Sequence, residues 1–258
     1  MQVAIFSDVH GNLTALEAVL ADIKQHSPDI TICAGDLCAD GARPAACVQR
    51  LRAEDIGVIR GNTDERIGNR PVLSLDLKGE TEPPKREIEN NDDWTWAQLT
   101  ANERAWLETL PFHQRVSPTT NLHDDLLVVH ANPMDIDQHI YPSEERQKAL
   151  YGEVRQPDDD LALRKMLGEL TLAVVAFGHL HIPNVRQWHG ITLANISSVS
   201  LPLDGDQRAK YGLLTWDDGW TMTHQYVEYD VDKEIALLKQ VQPPNWQELV
   251  ERLQTASE

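Results

Sequence analysis

Apolar residues in this chain come in two patterns that alternate: short unbroken runs, and longer stretches in which they recur every three or four positions. VAIFS (3–7) is an unbroken run, and after Gly11 the stretch from Asn12 to Gln25 places Leu13, Leu16, Ala18, Leu20 and Ile23 inward. The first pattern predicts a strand buried on both faces, the second a helix packed against it. The layout then repeats: DITICAG (29–35) predicts a strand, 44–54 a helix, and GVIRGN (57–62) a third strand closing on Asn62. Such alternation implies parallel strands joined by right-handed crossovers.

Beyond Arg70 the chain turns polar and proline-bearing as far as Glu89, and reads as a surface excursion. A helix is predicted over 92–110, with Trp94, Leu99, Trp106, Leu107 and Leu110 as its apolar stripe and Thr100 and Glu103 spaced as a capping box. Strands follow at 115–117 and 125–130, then a polar segment over 132–157 that reads as part of a cap, and a helix over 158–169. LAVVAFG (172–178), NVRQW and ITLAN about the turn at 189–190, and the pair KYGLLTW (210–216) and WTMTHQYVEY (220–229) predict a second, more antiparallel set of strands. The tail from Asp230 to Leu253 reads as helix broken at Pro243 and Pro244. We expect one domain over 1–258, with cap or excursion segments at 70–115 and 132–168.

Composition narrows the setting. A chain of 258 residues with 41% hydrophobic content can bury a full core. Its longest apolar runs fall far short of the roughly 20 residues that span a bilayer, so a soluble, cytoplasmic protein is expected. Three cysteines, Cys33, Cys38 and Cys47, suit a reducing compartment better than a disulfide framework; they read as structural thiols, although Cys38 follows Asp36 closely. A formal charge of −18 disfavours duplex nucleic acid, whose affinity comes from Lys and Arg meeting phosphates. A small anionic substrate stays compatible if bound cations dominate the local field.

The candidate chemistry sits at the ends of the predicted strands. Asp8 and His10 in SDVH, Asp36 in AGD, Asn62 in RGNTD, His130 in VVH, and His179 and His181 in FGHLH each follow an apolar run, the place where α/β sheets put their ligand sites. Three Asp or Asn oxygens and four imidazoles suffice for two divalent cations sharing one carboxylate. His26, His113, His123, His189 and His224 fall outside these motifs and read as ordinary histidines.

In this order, DxH, GD, GN with an acidic residue two positions after the asparagine, H and GHxH resemble the signature of the calcineurin-like metallophosphoesterases, from Asp8 to His181. SVSLPLDGDQRAKYGLL (198–214) is similar to a stretch of a bacterial branch of small phosphodiesterases that includes asymmetric diadenosine tetraphosphate hydrolases. The resemblance implies an α/β (α+β) metallophosphatase fold: a four-layer sandwich of two mixed β-sheets flanked by helices. It also implies that Asp8, His10, Asp36 and His181 bind one metal and Asp36, Asn62, His130 and His179 the other. Manganese is the expected ion, with iron, zinc, cobalt or nickel as alternatives.

The expected function is therefore a dinuclear phosphodiesterase in which a metal-bridging hydroxide attacks small phosphodiesters or dinucleoside polyphosphates; the alternative is a protein-interaction scaffold on the same fold with weak or no catalysis. Asp36, Asn62 and Asp64 are the catalytic candidates, Asp64 either orienting a ligand imidazole or capping the next turn. Where many relatives carry a proton-donating His after the GN asparagine, this chain has Thr63, which favours leaving groups that need no proton; His139 is a candidate acid in its place. Arg208 and Tyr211 are candidate phosphate contacts, the alternative being a surface turn with Tyr211 starting a strand. Ile196, Ser197 and Ser200 depart from the Pro and Gly of the related NPGSVG stretch. The late hairpin's free edge makes a homo-oligomer conceivable.

Overall fold

The computed structural model describes residues 1–70, 88 and 90–257. The chain begins with β1 (Gln2–Phe6), α1 (Leu13–His26), β2 (Ile30–Cys33), α2 (Pro44–Arg52), β3 (Gly57–Val58) and α3 (Asn62–Gly68). Next come α4 (Asn91–Gln98), α5 (Ala101–Thr109), β4 (His113–Val116), β5 (Leu126–Val129), α6 (Glu144–Tyr151), α7 (Leu161–Leu167) and β6 (Val174–Phe177). The last elements are β7 (Asn184–Trp188), β8 (Ile191–Asn195), β9 (Ala209–Trp216), β10 (Trp220–Val227), α8 (Val231–Val241) and α9 (Trp246–Thr255). Most of the expected excursion at 70–89 lies outside the described residues.

Two five-stranded mixed sheets result, ordered β10-β9-β1-β2-β3 and β4-β5-β6-β8-β7. In the first, β1, β2 and β3 are parallel and β9 runs antiparallel to β1; in the second, β5, β6 and β8 are parallel between antiparallel edges β4 and β7. The β9–β10 hairpin was expected with the later strands, and instead extends the first sheet. Val3, Ala4 and Ile5 are fully buried, so the edge of β1 that β2 does not cover needs a partner for its backbone groups, and β9 supplies it.

Side-chain alternation along each strand builds the layers. Val3, Ile5 and Ile32 of the first sheet pack against Leu126, Val128, Val174 and Ala176 of the second. The opposite positions, Ala4, Phe6 and Cys33, face α1 and α2 through Leu16, Val19, Cys47 and Val48. Val129, Val175 and Phe177 likewise face Leu163, Met166 and Leu167 of α7. The order is thus helices, sheet, sheet, helices, an α/β sandwich whose inner strands are apolar on both faces. Cys33, Cys38 and Cys47 are buried free thiols, all pushed up by burial, which makes them inert.

Local signals account for the other differences. The stretch 92–110 forms two helices, because the Thr100 hydroxyl accepts from the Glu103 N–H (3.3 Å) while the Glu103 carboxylate accepts from the Thr100 N–H (2.7 Å). A capping box begins a helix, so it ends α4 and starts α5. Asn12 proves to be the N-cap of α1, accepting from the Ala15 N–H at 3.0 Å. The tail breaks at its prolines into α8 and α9, which pack on Ala42 and Leu201. Among the described residues no helix is long and apolar enough to cross a membrane.

Candidate metal centre

Every parallel strand that carries a motif points its C-terminal end at the same place. Asp8 and His10 follow β1, Asp36 follows β2, Asn62 opens α3 after β3, His130 follows β5, and His179 and His181 follow β6. The two sheets are tied together there: the His179 N–H, after β6, donates to Asp8 Oδ2, after β1, at 3.0 Å. All seven residues are brought into one cluster.

Its members divide into two halves. In one, His10 Nε2 lies 3.2 Å from His181 Nε2, and His181 Nε2 lies 3.1 Å from Asp8 Oδ1. In the other, His130 Nε2 lies 3.0 Å from Asn62 Oδ1 and 3.2 Å from His179 Nδ1. Asp36 stands between them, Oδ2 at 3.7 Å from His10 Nε2 and Oδ1 at 3.5 Å from His130 Nε2. Asp8, His10 and His181 form one group able to hold a cation, and Asp8, Asp36 and His130 another. Asp8 thus also adjoins both halves, but its Oδ2 already accepts from the His179 backbone.

Proton placement in the imidazoles suits cation ligands. His130 Nδ1 faces the Ala34 carbonyl (2.9 Å), His181 Nδ1 the Leu201 carbonyl (2.7 Å) and His179 Nε2 the Asp137 carbonyl (2.9 Å). A carbonyl only accepts, so each facing nitrogen donates its N–H and the other presents a lone pair inward. Charge follows suit. Burial opposes ionisation of Asp8 and Asp36, yet the neighbouring imidazoles outweigh it and hold both carboxyls below their usual range. Burial, together with His130 and His139, depresses His179 to about 4. Buried carboxylates and imidazoles fit divalent cations without any thiolate.

Behind the inward atoms lies a layer that fixes them. Thr63 is buried, and both its N–H (2.9 Å) and its hydroxyl (2.8 Å) donate to Asp36 Oδ1. Asp64 touches no imidazole; it accepts from the backbone N–H groups of Asp36 (2.7 Å), Leu37 (2.9 Å) and Gly61 (2.9 Å). Of its two expected roles the structure supplies the capping one and adds the clasp on the Asp36 backbone. Burial and the charge of Asp36 push Asp64 up to about 7, while the three N–H donors favour its carboxylate form. The GN and GH glycines leave room for ligands: a Cβ on Gly61 would come within 2.1 Å of Asp36 Oδ1, and one on Gly178 within 2.2 Å of Asp8 Oδ2.

Five of the seven residues adopt the left-handed backbone region: Asp8, His10, Asp36, His179 and His181, with φ of 58°, 46°, 55°, 63° and 60°. Each such residue stores roughly 1–3 kcal/mol and persists only where its surroundings over-determine it, typically at functional sites. Ser197 is left-handed too (φ 71°), and its hydroxyl donates to the His181 carbonyl at 3.0 Å.

Two sequence candidates are not brought to the cluster. Tyr211 is fully buried in the helix-side core and its hydroxyl donates to Asp22 of α1 at 2.8 Å. Arg208 is held by the carboxylate of Asp206 (Nε to Oδ1 3.0 Å) and lies over the Tyr226 ring. Both therefore hold the fold of the loop and of β9. Conversely, the structure adds residues that the motifs did not flag: Asp40, with Oδ2 3.6 Å from His10 Nδ1, and Ser198, whose hydroxyl donates to the Asp8 carbonyl at 3.0 Å. His139 does reach the cluster, its ring 4.3 Å from that of His179, and the segment 132–141 thereby lies against the second half.

Comparison with known proteins identifies the family. Residues 1–219 match the calcineurin-like phosphoesterase superfamily domain, and the chain belongs to that superfamily. An uncharacterized protein of Methanocaldococcus jannaschii is 26% identical, over 97% of this chain and 96% of its own length. The crystal structure of a metallophosphoesterase from Sphaerobacter thermophilus is similar at TM-score 0.74 and 27% identity, covering 99% of both chains. A hypothetical protein from Pyrococcus horikoshii OT3 shares the fold at TM-score 0.77 and 17% identity, over 100% of this chain and 99% of its own. Membership together with the candidate ligand groups supports a metal-dependent phosphoesterase.

Proposed function

We propose that this phosphoesterase holds two divalent cations, manganese foremost, and hydrolyses small phosphodiesters or nucleotide phosphoanhydrides, dinucleoside polyphosphates among them. Asp8, His10, Asp36 and His181 would hold one ion and Asp36, Asn62, His130 and His179 the other. The observation that carries this reading is Asp36, whose two carboxylate oxygens face one imidazole from each half. Cations in these places supply Lewis acidity, activating water as the nucleophile and neutralising charge on the phosphoryl group. The chain's own residues do the positioning: Thr63 and Asp64 fix the side chain and the backbone of Asp36, and three backbone carbonyls fix the imidazoles.

Leaving-group preference follows from the direction of the Thr63 hydroxyl. It is spent on Asp36 Oδ1, so this position offers no proton to a departing oxygen. A phosphate leaving group, with a pKa of about 6, needs little help; an alkoxide needs a great deal. Phosphoanhydrides and aryl diesters are favoured accordingly. If His139 donated a proton instead, His139→Ala would depress poor leaving groups selectively.

Manganese-loaded protein should be assayed against diadenosine tetraphosphate, cyclic nucleotides, and bis-aryl and mono-aryl phosphates, with Asp36→Asn as control. Hydrolysis of the anhydride and diesters, lost in the control, is the expected result. Activity confined to the monoester would overturn the substrate class, and activity surviving in Asp36→Asn would overturn the shared-carboxylate centre.

A further inference from the structure

Two buried polar atoms of residues that line one small cavity have no hydrogen-bond partner among the described residues: His10 Nδ1 and Glu234 Oε1. Glu234 belongs to α8, beyond the residues that match the superfamily, and is 1% exposed. Its Oε2 is fully used, accepting from Arg43 Nη2 (2.7 Å) and the Thr14 hydroxyl (2.8 Å). For His10 Nδ1 the nearest acidic oxygen is Asp40 Oδ2 at 3.6 Å, too far for a direct hydrogen bond. His10, Asp40, Glu234, Asn12 and Ser200 all line the cavity, which has room for the centre of about one water molecule, about 10 Å³.

We propose that one buried water links His10 Nδ1 to Glu234 Oε1, which makes Glu234 a positioning residue for the His10 half of the centre. The water accepts from the Nδ1–H and donates to Glu234 Oε1, with Asp40 Oδ2 within reach of its second hydrogen. Leu201, Leu238, Leu249 and Leu253 line the rest of the cavity, so a water there is held by the few polar groups beside it, and two to four such partners suffice. Arg43 pairs with the buried Glu234 carboxylate through Oε2. The link places the proton of His10 on Nδ1 and leaves Nε2 a lone pair toward Asp8, Asp36 and His181. The other three imidazoles are held by backbone carbonyls, whereas His10 is held by a carboxylate through water, an arrangement that fixes the tautomer and raises ligand basicity. The C-terminal helices thus take part in the centre.

This inference rests on His10 being a metal ligand, but its structural half can be read without metal. A high-resolution crystal structure should show a water within hydrogen-bond distance of both atoms, and ¹⁵N spectra of the metal-free protein should show His10 protonated at Nδ1. In Glu234→Ala, affinity for one of the two manganese ions should fall about 10- to 100-fold with the other unchanged, and Glu234→Gln, which keeps an acceptor oxygen, should restore most of the loss. Equal retention of both ions by folded Glu234→Ala, an Nε2-protonated His10, or Nδ1 bonded directly to Asp40 would each overturn the proposal. Should Glu234→Ala fail to fold, the water and the tautomer in the parent protein decide. Absence of manganese binding by the parent protein, with the water present, would sink the proposed metal centre and leave the link standing.

Discussion

Asp8, His10 and His181 lie buried, beside the Leu201 carbonyl and the cavity that α8 helps to line, whereas in the other half His130 is buried but Asn62 and His179 are half-buried, His179 against Asp137 of the 132–141 segment. The halves share Asp36 and differ in what surrounds them. Around His10 the supports are buried groups of the fold itself; around His179 they are a loop carbonyl and the tilted His139 ring. A ligand set enclosed by packing loses little freedom on binding a cation, while one at the rim can exchange its ion and meet substrate.

The shared residue gives the largest expected effect. Asp36→Asn removes the charge whose two oxygens face one imidazole from each half, so both ions should be lost on dialysis and turnover should drop by more than about 10³-fold, equivalent to several kcal/mol of charge stabilisation. Metal analysis beside steady-state kinetics checks it. Retention of one full equivalent of metal would show that Asp8 can serve the first half alone.

Separate ligand removals ask whether the halves differ as their burial implies. His181→Ala should cost the tighter ion more than about 100-fold in affinity, beyond the loss from a change one layer out. His179→Ala should leave that ion in place and weaken the second. Titration calorimetry of the apo proteins with manganese reads both, and matched losses would erase the comparison. Thr63→Val comes next: it deletes one hydroxyl bond to Asp36 Oδ1 and keeps the N–H bond. A hydrogen bond to a charged group is worth about 1.5–3 kcal/mol, so a loss of roughly ten- to a hundredfold in kcat is expected, with Thr63→Ser near the parent.

Much of this was legible in the sequence, for a physical reason. Strands buried on both faces read as unbroken apolar runs, and the residues directly after them are where ligands gather, so the seven cluster members announced themselves by position. The rest depends on long-range pairing. Nothing within KYGLLTW tells which sheet it joins; the unpaired edge of β1 decides that from some 200 residues away. The motif that names Thr63 does not say that its hydroxyl turns to Asp36, because the turn follows from the capping geometry at the start of α3. The left-handed residues were equally hidden, although Asp and His are among the side chains that tolerate that region. Glu234 lies outside every motif and becomes visible only through the cavity it shares with His10.

Tyr211 offers the mildest test, and it separates the support of the buried half from the core beneath it. Sequence similarity made this residue a candidate substrate contact, while the structure gives its hydroxyl to Asp22 on α1, in the layer that also holds Leu16 and Phe6. Burial and that bond to Asp22 push the phenol well up, so it stays a donor across the working pH range. Tyr211→Phe therefore removes one hydrogen bond to a carboxylate and nothing at the cluster. Unfolding stability should fall by about 1–2 kcal/mol, read from a denaturant midpoint at unchanged slope, while metal stoichiometry and kcat/KM stay at the parent values. A raised KM at unchanged stability would return Tyr211 to the substrate. A lost equivalent of manganese would show instead that the rigidity of the buried half comes from the helix-side core, and not from the Leu201 carbonyl and the α8 cavity that adjoin it.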